Sequence, residues 1–248
     1  MTIRRLVRSE FRKLTTTKMP LAFLGVLVLF AVINAFIVAA GTDMDGSKTF
    51  ISTAADQQSL IAFGYNGFIL AALFGAIAVS REYGHHTVIP TFLASPRRRH
   101  AVVAQLGAVA VGGGVLSLVG TALTVGAVVV ALSTTDFGFL ISVDNVVRVL
   151  GAAVFAGAAG AVLGAGLGAI VRSVGGAVTG TTLALIIIPP LIVQLANETA
   201  AWMPNILANV LAGVGTDVST PAALAALTLW ALIPAAIGLI VVERRDVV

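Results

Sequence analysis

HAVVAQLGAVAVGGGVLSLVGTALTVGAVVVALSTT, residues 100–135, runs for 36 positions without a Lys, Arg, Asp or Glu, and its reading decides the topology of the chain. A helix rises about 1.5 Å per residue and a bilayer core is about 30 Å thick, so about 20 apolar residues cross once. The stretch is too long for one simple crossing. Two crossings, however, would reverse every later segment and undo the charge asymmetry described below. We therefore place a single helix over 103–132, tilted or extended beyond the membrane.

Five further charge-free stretches lie between Lys18 and Asp43, Asp56 and Arg81, Arg148 and Arg172, Arg172 and Glu198, and Asp217 and Glu243. The shortest is 23 residues, long enough to span. Composition agrees: 58% of residues are hydrophobic and 10% are charged, against about 25% charged in a soluble domain. The expected fold is an all-α polytopic membrane protein with transmembrane helices over 20–41, 59–80, 103–132, 149–171, 174–196 and 219–242. Six spans use up most of 248 residues, so one transmembrane domain over 1–248 is expected, without a second folded unit. With no Cys there is no disulfide framework, thiol nucleophile or thiolate metal site.

Charge placement orients the spans. If the N-terminus is cytoplasmic and the gaps alternate sides, Arg4, Arg5, Arg8, Arg12, Lys13, Lys18, Arg81, Arg97, Arg98, Arg99, Arg172, Arg244 and Arg245 fall inside. That is 13 of the 15 basic residues; only Lys48 and Arg148 fall outside, among a majority of acids. Such asymmetry places both termini in the cytoplasm of a multi-pass cell-membrane protein. The net charge of +4 therefore serves orientation and headgroup contact rather than nucleic-acid binding.

Ahead of the first span, Ile3, Leu6, Val7, Phe11 and Leu14 recur at steps of three and four, with Arg4, Arg5, Arg8, Arg12 and Lys13 on the other face. This pattern predicts an interfacial amphipathic helix within 1–19, closed by Pro20. Val38-Ala39-Ala40 resembles a small-residue cleavage site, but the apolar run from Leu21 to Ala40 exceeds the 7 to 15 residues of a secretory h-region, so a retained anchor is expected.

Spans four and five carry Gly160-x-x-x-Gly164-x-x-x-Gly168 and Gly176-x-x-x-Gly180, flat stripes on which another helix can approach. Pro189-Pro190 and Pro234 remove backbone donors, so spans five and six are expected to kink or break there. Ile206 to Val214 is apolar but too short to cross, and reads as an external or re-entrant helix. Trp202 fits either an interface belt or ordinary packing.

The longest charged connection lies between spans two and three: Ser80-Arg81-Glu82-Tyr83-Gly84-His85-His86-Thr87, then Pro90, then Ser95-Pro96-Arg97-Arg98-Arg99-His100. Here the chain resembles the permease subunits of ABC transporters, in particular the type-2 exporter class that includes small bacterial drug-efflux and antibiotic-resistance permeases. The resemblance rests on Glu82, Gly84, Thr87, Pro96 and Arg97 to Arg99 in this connection. It extends to the basic first helix, the six spans, the short helix before the last span and the terminal Glu243-Arg244-Arg245-Asp246. The chain departs from the family at Gln105, where members often carry Lys, and in the His85-His86 pair.

The resemblance implies that Glu82, Tyr83, Gly84, Thr87, Pro96, Arg97, Arg98 and Arg99 belong to a cytoplasmic coupling helix seated in a groove of a separate ATPase subunit. It also implies a second permease copy or homologue as partner. ATP and Mg are expected on the ATPase and no cofactor on this chain, because Gly46-Ser47-Lys48 does not complete G-x-x-x-x-G-K-[ST] and sits in an outer loop. The chain itself is then not an enzyme.

Other chemistry is thinly supplied. His85, His86 and His100 are the only histidines, and adjacent side chains on a helix diverge by about 100°, a poor metal site. No Asp, Glu or His lies deep in a span, which argues against intramembrane proteolysis and a proton relay. Asn34, Tyr65, Asn66, Ser117, Thr121, Thr124 and Gln194 are the candidate pathway residues, although such residues more commonly bond between helices. A pathway with so little charge suits a hydrophobic or amphipathic cargo: drug, peptide antibiotic or lipid. Two rivals remain at this stage. One is an ATP-independent secondary carrier or channel; the other is a non-transporting immunity or sensor subunit.

Overall fold

The structure, a computed structural model, describes residues 3–42, 48–62, 65–84, 98–215 and 218–244. Its helices are α1 (Ile3–Thr16), α2 (Met19–Ala40), α3 (Ala54–Ala62), α4 (Tyr65–Gly84), α5 (Arg98–Leu132), α6 (Val143–Val171), α7 (Val174–Thr182), α8 (Ile188–Leu195), α9 (Pro204–Leu211) and α10 (Thr220–Arg244). Among the described residues there is no strand. Six helical stretches are long and apolar enough to cross a membrane: Met19–Ala40, Ala54–Gly84, Arg99–Leu132, Val143–Val171, Val174–Leu195 and Thr220–Arg244. The protein is an all-α polytopic membrane protein.

Residues 103–132 do lie in one helix. α5 begins earlier, at Arg98, and its 35 residues extend about 52 Å, well past a bilayer core. α6 also starts early, at Val143, because Ser142 caps it: its hydroxyl accepts the Asn145 amide at 3.3 Å. α3 opens on a reciprocal cap in which the Thr53 hydroxyl accepts the Asp56 amide and Asp56 accepts the Thr53 amide, each at 3.2 Å. Pro20 does not end α1. The chain turns at Thr17–Lys18, and Pro20 sits in the first turn of α2, where its missing N–H leaves no bond unmade.

α6 is the centre of the bundle, with α4, α5 and α10 packed around it. Lipid gives helices no hydrophobic reason to associate, so close backbone contact must hold them. Gly160, Gly164 and Gly168 lie in register over the carbonyls of Phe68, Ala72 and Ala76 on α4. A Cβ at Gly160 or Gly168 would stand 2.7 Å from the facing oxygen, and one at Gly164 would collide with its own. Gly113 of α5 and Gly157 of α6 permit a second close approach, and Gly166 a third against the backbone of Pro234. The first glycine stripe is thus a contact within the chain. The second is not: beside Gly180 there is open space, and Gly176 meets only Val171 and Ser173 of its own turn.

Pro189-Pro190 breaks span five as expected, through one π turn at Leu183–Ile187 in which the Ile188 amide donates to Leu183 O. Only the stripe Ala177, Thr181, Leu185 and Pro189 is buried, so this span lies at the periphery. Pro234, by contrast, does not interrupt α10.

The end of the bundle bearing Asp56 and Asp136 is tied by polar side chains. Gln57, fully buried, donates to Ile51 O at 3.1 Å and Gly138 O at 3.0 Å and accepts the Leu140 amide at 2.9 Å. The short helix α9 is held at its C-terminus. Arg148 Nε donates to Leu211 O at 3.2 Å and its Nη2 to Val210 O at 3.3 Å, while Gln58 donates to Ala212 O at 3.0 Å. A cation at a helix C-terminus also meets the negative end of its dipole. Trp202 is half exposed, and its carbonyl accepts Trp230 Nε1 at 3.0 Å.

Candidate functional site

At the opposite end lie Lys13, Arg81, Arg99, Arg172 and Arg244, brought together because successive spans run antiparallel. There Lys13 Nζ stands between two carboxylates, 2.7 Å from Glu10 Oε1 and 3.0 Å from Glu82 Oε1. The side chain of Lys13 is 38% exposed, those of Glu10 and Glu82 only 6% and 14%. α1 puts Glu10 and Lys13 one turn apart, and the last turn of α4 brings Glu82 to meet them.

The electrostatics follow from that burial. Loss of water raises the pKa of the Glu10 carboxyl above 4.5; the Lys13 bond opposes the rise and the charge of Glu82 adds to it. For Lys13, burial works downward, but the hydrogen bond it donates to Glu10 and the charges of both carboxylates outweigh it and lift the ammonium above 10.5. The lysine is held charged, and the Glu10 carboxyl holds its proton to a higher pH than it would in water.

Glu82 and its neighbour Tyr83 leave α4 about 100° apart and meet different partners. The Tyr83 ring lies 5.3 Å from the Arg172 guanidinium carbon, within cation–π range. Arg172 ends α6 in the left-handed region, φ 60°, which turns the chain into α7. Its Nη2 donates to Val241 O of α10 at 3.2 Å. The last turn of α4 thereby joins α1 on one side and α6 and α10 on the other.

A cleft of about 390 Å³ opens beside this junction, between α1, the start of α2, α4 and α5. Its polar wall is Glu10, Lys13, Arg81, Glu82 and Gln105, and its apolar wall includes Leu14, Met19 and Val109.

Of the expected coupling residues, Glu82, Tyr83 and Gly84 form the end of α4, and Arg98 and Arg99 begin α5. Thr87, Pro96 and Arg97, with His85 and His86, lie outside the described residues. Among the described residues, three of the expected pathway residues bond to helix carbonyls. Ser117 donates to Gly67 O of α4 at 3.0 Å, Thr124 to Gly120 O of its own helix at 3.0 Å, and Asn34 to Phe30 O at 2.9 Å. Thr121 is buried without a hydrogen-bond partner among the described residues, beside a space of about 20 Å³, room for a single water. Gln194 is exposed near the end of α8, and the side chains of Tyr65 and Asn66 lie outside the described residues.

Sequence reasoning missed Glu10 and Arg172 as members of this junction. The signal for Glu10 is present: at about 100° per residue it falls on the apolar face of α1 between Leu6 and Ile3, an acid where the pattern requires an apolar residue. No protein-family model matches the sequence, and no curated protein matches it.

Proposed function

We propose that the chain is the membrane-spanning permease subunit of an ATP-driven ABC exporter, embedded in the cell membrane with both termini cytoplasmic. Hydrolysis belongs to a separate ATPase subunit, and the cargo is hydrophobic or amphipathic. The observation that carries this reading is the junction at Glu82 and Tyr83. Residues 85–97 follow it directly, so a force on that segment reaches α1 through Lys13 and reaches α6 and α10 through Arg172. Packed helices move as units, and an ATPase gripping the segment would rock the bundle. The tight packing of α4, α5 and α6, with room for one water at Thr121, supports a cargo route between this chain and a second permease copy over one through this chain alone.

Co-purification tests the proposal. A soluble nucleotide-binding subunit should accompany the wild-type chain and be lost when Arg97, Arg98 and Arg99 are changed to Gln, with thermal stability unchanged. Reconstituted chain that moves a hydrophobic dye down an ion gradient with neither ATP nor a partner would overturn it.

A further inference from the structure

The other flank of α1 forms a separate groove of about 350 Å³ with α5, walled by Val7 and Phe11 on one side and Val103, Gly107 and Val111 on the other. Arg99 and His100 stand at one end of it. Val103 and Val111 are 54% and 51% exposed, and Gly107 between them has open space beyond it. Arg99 and Val111 are twelve positions apart, about 18 Å along a helix, against about 15 Å for one leaflet of the hydrocarbon core.

The geometry points to a binding site for an anionic phospholipid, its phosphate at Arg99 and His100 and one acyl chain along Val103, Gly107 and Val111. The cationic end supplies the attraction to the headgroup, and the apolar channel that leads from it into the membrane takes the chain. Phe11 and Val7 give the chain a second wall, so α1 rests partly on bound lipid. This site rests on the membrane-spanning fold alone and is independent of the transport reading.

Native mass spectrometry of delipidated chain, offered equal amounts of dioleoyl phosphatidylglycerol and dioleoyl phosphatidylcholine, tests it. Wild type should retain the anionic lipid about fivefold more than the zwitterionic one, the effect of about one cation at the headgroup. Arg99→Gln with His100→Gln should bring the ratio to about one while total lipid persists. Gly107→Leu, which projects into open space and leaves the fold intact, should reduce both adducts. Free glycerol phosphate should not compete. Equal retention of the two lipids by wild type, or a preference that survives Arg99→Gln with His100→Gln, would overturn the site. So would a disulfide between two copies through Gly107→Cys in chain that retains no lipid, which would assign the groove to self-association.

Discussion

Lys13 and Glu82 are 69 positions apart in sequence and 3.0 Å apart in space, and with Glu10 they bind the amphipathic first helix to the end of span two. The three charges are not equivalent. Lys13 neutralises two carboxylates that are nearly buried, whereas Glu10 adds a charge that the other carboxylate repels. Lys13→Met should therefore lower stability by about 1 to 2 kcal/mol, a value reduced from that of a fully buried pair because the lysine is partly exposed. Glu10→Gln should cost less. The double variant should be more stable than the sum of the single effects predicts, since a neutral residue 10 removes the repulsion. Thermal unfolding in detergent measures all three, and a Glu10→Gln as damaging as Lys13→Met would show that Glu10 is the keystone instead.

The pH dependence of α1 docking carries the same logic. Docking raises the pKa of Glu10 above 4.5, so its contribution is complete below 4.5 and is lost as pH rises through the raised value. Docking raises Lys13 above 10.5, so its contribution is complete below 10.5 and is lost as pH rises through that higher value. Because the chain has no Cys, Arg12→Cys places one environment-sensitive fluorophore on the exposed face of α1. Two loosening steps are expected with rising pH, the first removed by Glu10→Gln and the second by Lys13→Met.

What was legible in the sequence, and what was not, divides along range of interaction. Residues 100–135 gave one span because hydropathy and charge alternation act over whole segments, and the first glycine stripe of span four announced a close contact. Its partner, the carbonyl row of Phe68, Ala72 and Ala76, required three dimensions, because any helix with small side chains would serve. The helix starts at Val143 and Arg98 extended past the apolar runs, since polar turns can stay helical outside hydrocarbon. Arg148 reads from sequence as one of the two basic residues on the outer side; the carbonyls of Val210 and Leu211 are supplied by a helix that hydropathy places only loosely. Arg172 reads as a topology marker, and its meeting with Tyr83 and Val241 depends on the crossing of α4, α6 and α10.

The glycines of α6 should respond to alanine with opposite signs. At Gly151 an added Cβ meets nothing within 4 Å, so Gly151→Ala should stabilise the helix, by up to about 1 kcal/mol. At Gly164 the Cβ would strike the Ala72 carbonyl and force α4 away from α6, at a cost of about 1 to 3 kcal/mol. Titration with a denaturing detergent, followed by helicity, separates the two. Equal effects would mean that α4 and α6 are not in backbone contact at this level.

The short helix α9 depends on one cation from another span. Arg148 bonds the carbonyls of Val210 and Leu211, of which Val210 O also accepts the Gly213 amide at 3.0 Å, and Gln58 takes the next carbonyl, at Ala212. Arg148 is largely exposed, so removing it should cost about 1 kcal/mol rather than the full value of a charged hydrogen bond. Arg148→Leu should therefore raise amide exchange in residues 204–214 about fivefold and leave exchange in α5 unchanged, because opening is local to the helix that has lost its anchor. Arg148→Lys should fall between, since a single ammonium cannot reproduce two directed N–H donors. If exchange rose equally throughout the bundle, Arg148 would be supporting α6 itself, and α9 would be a rigid part of the fold rather than a helix pinned at one end.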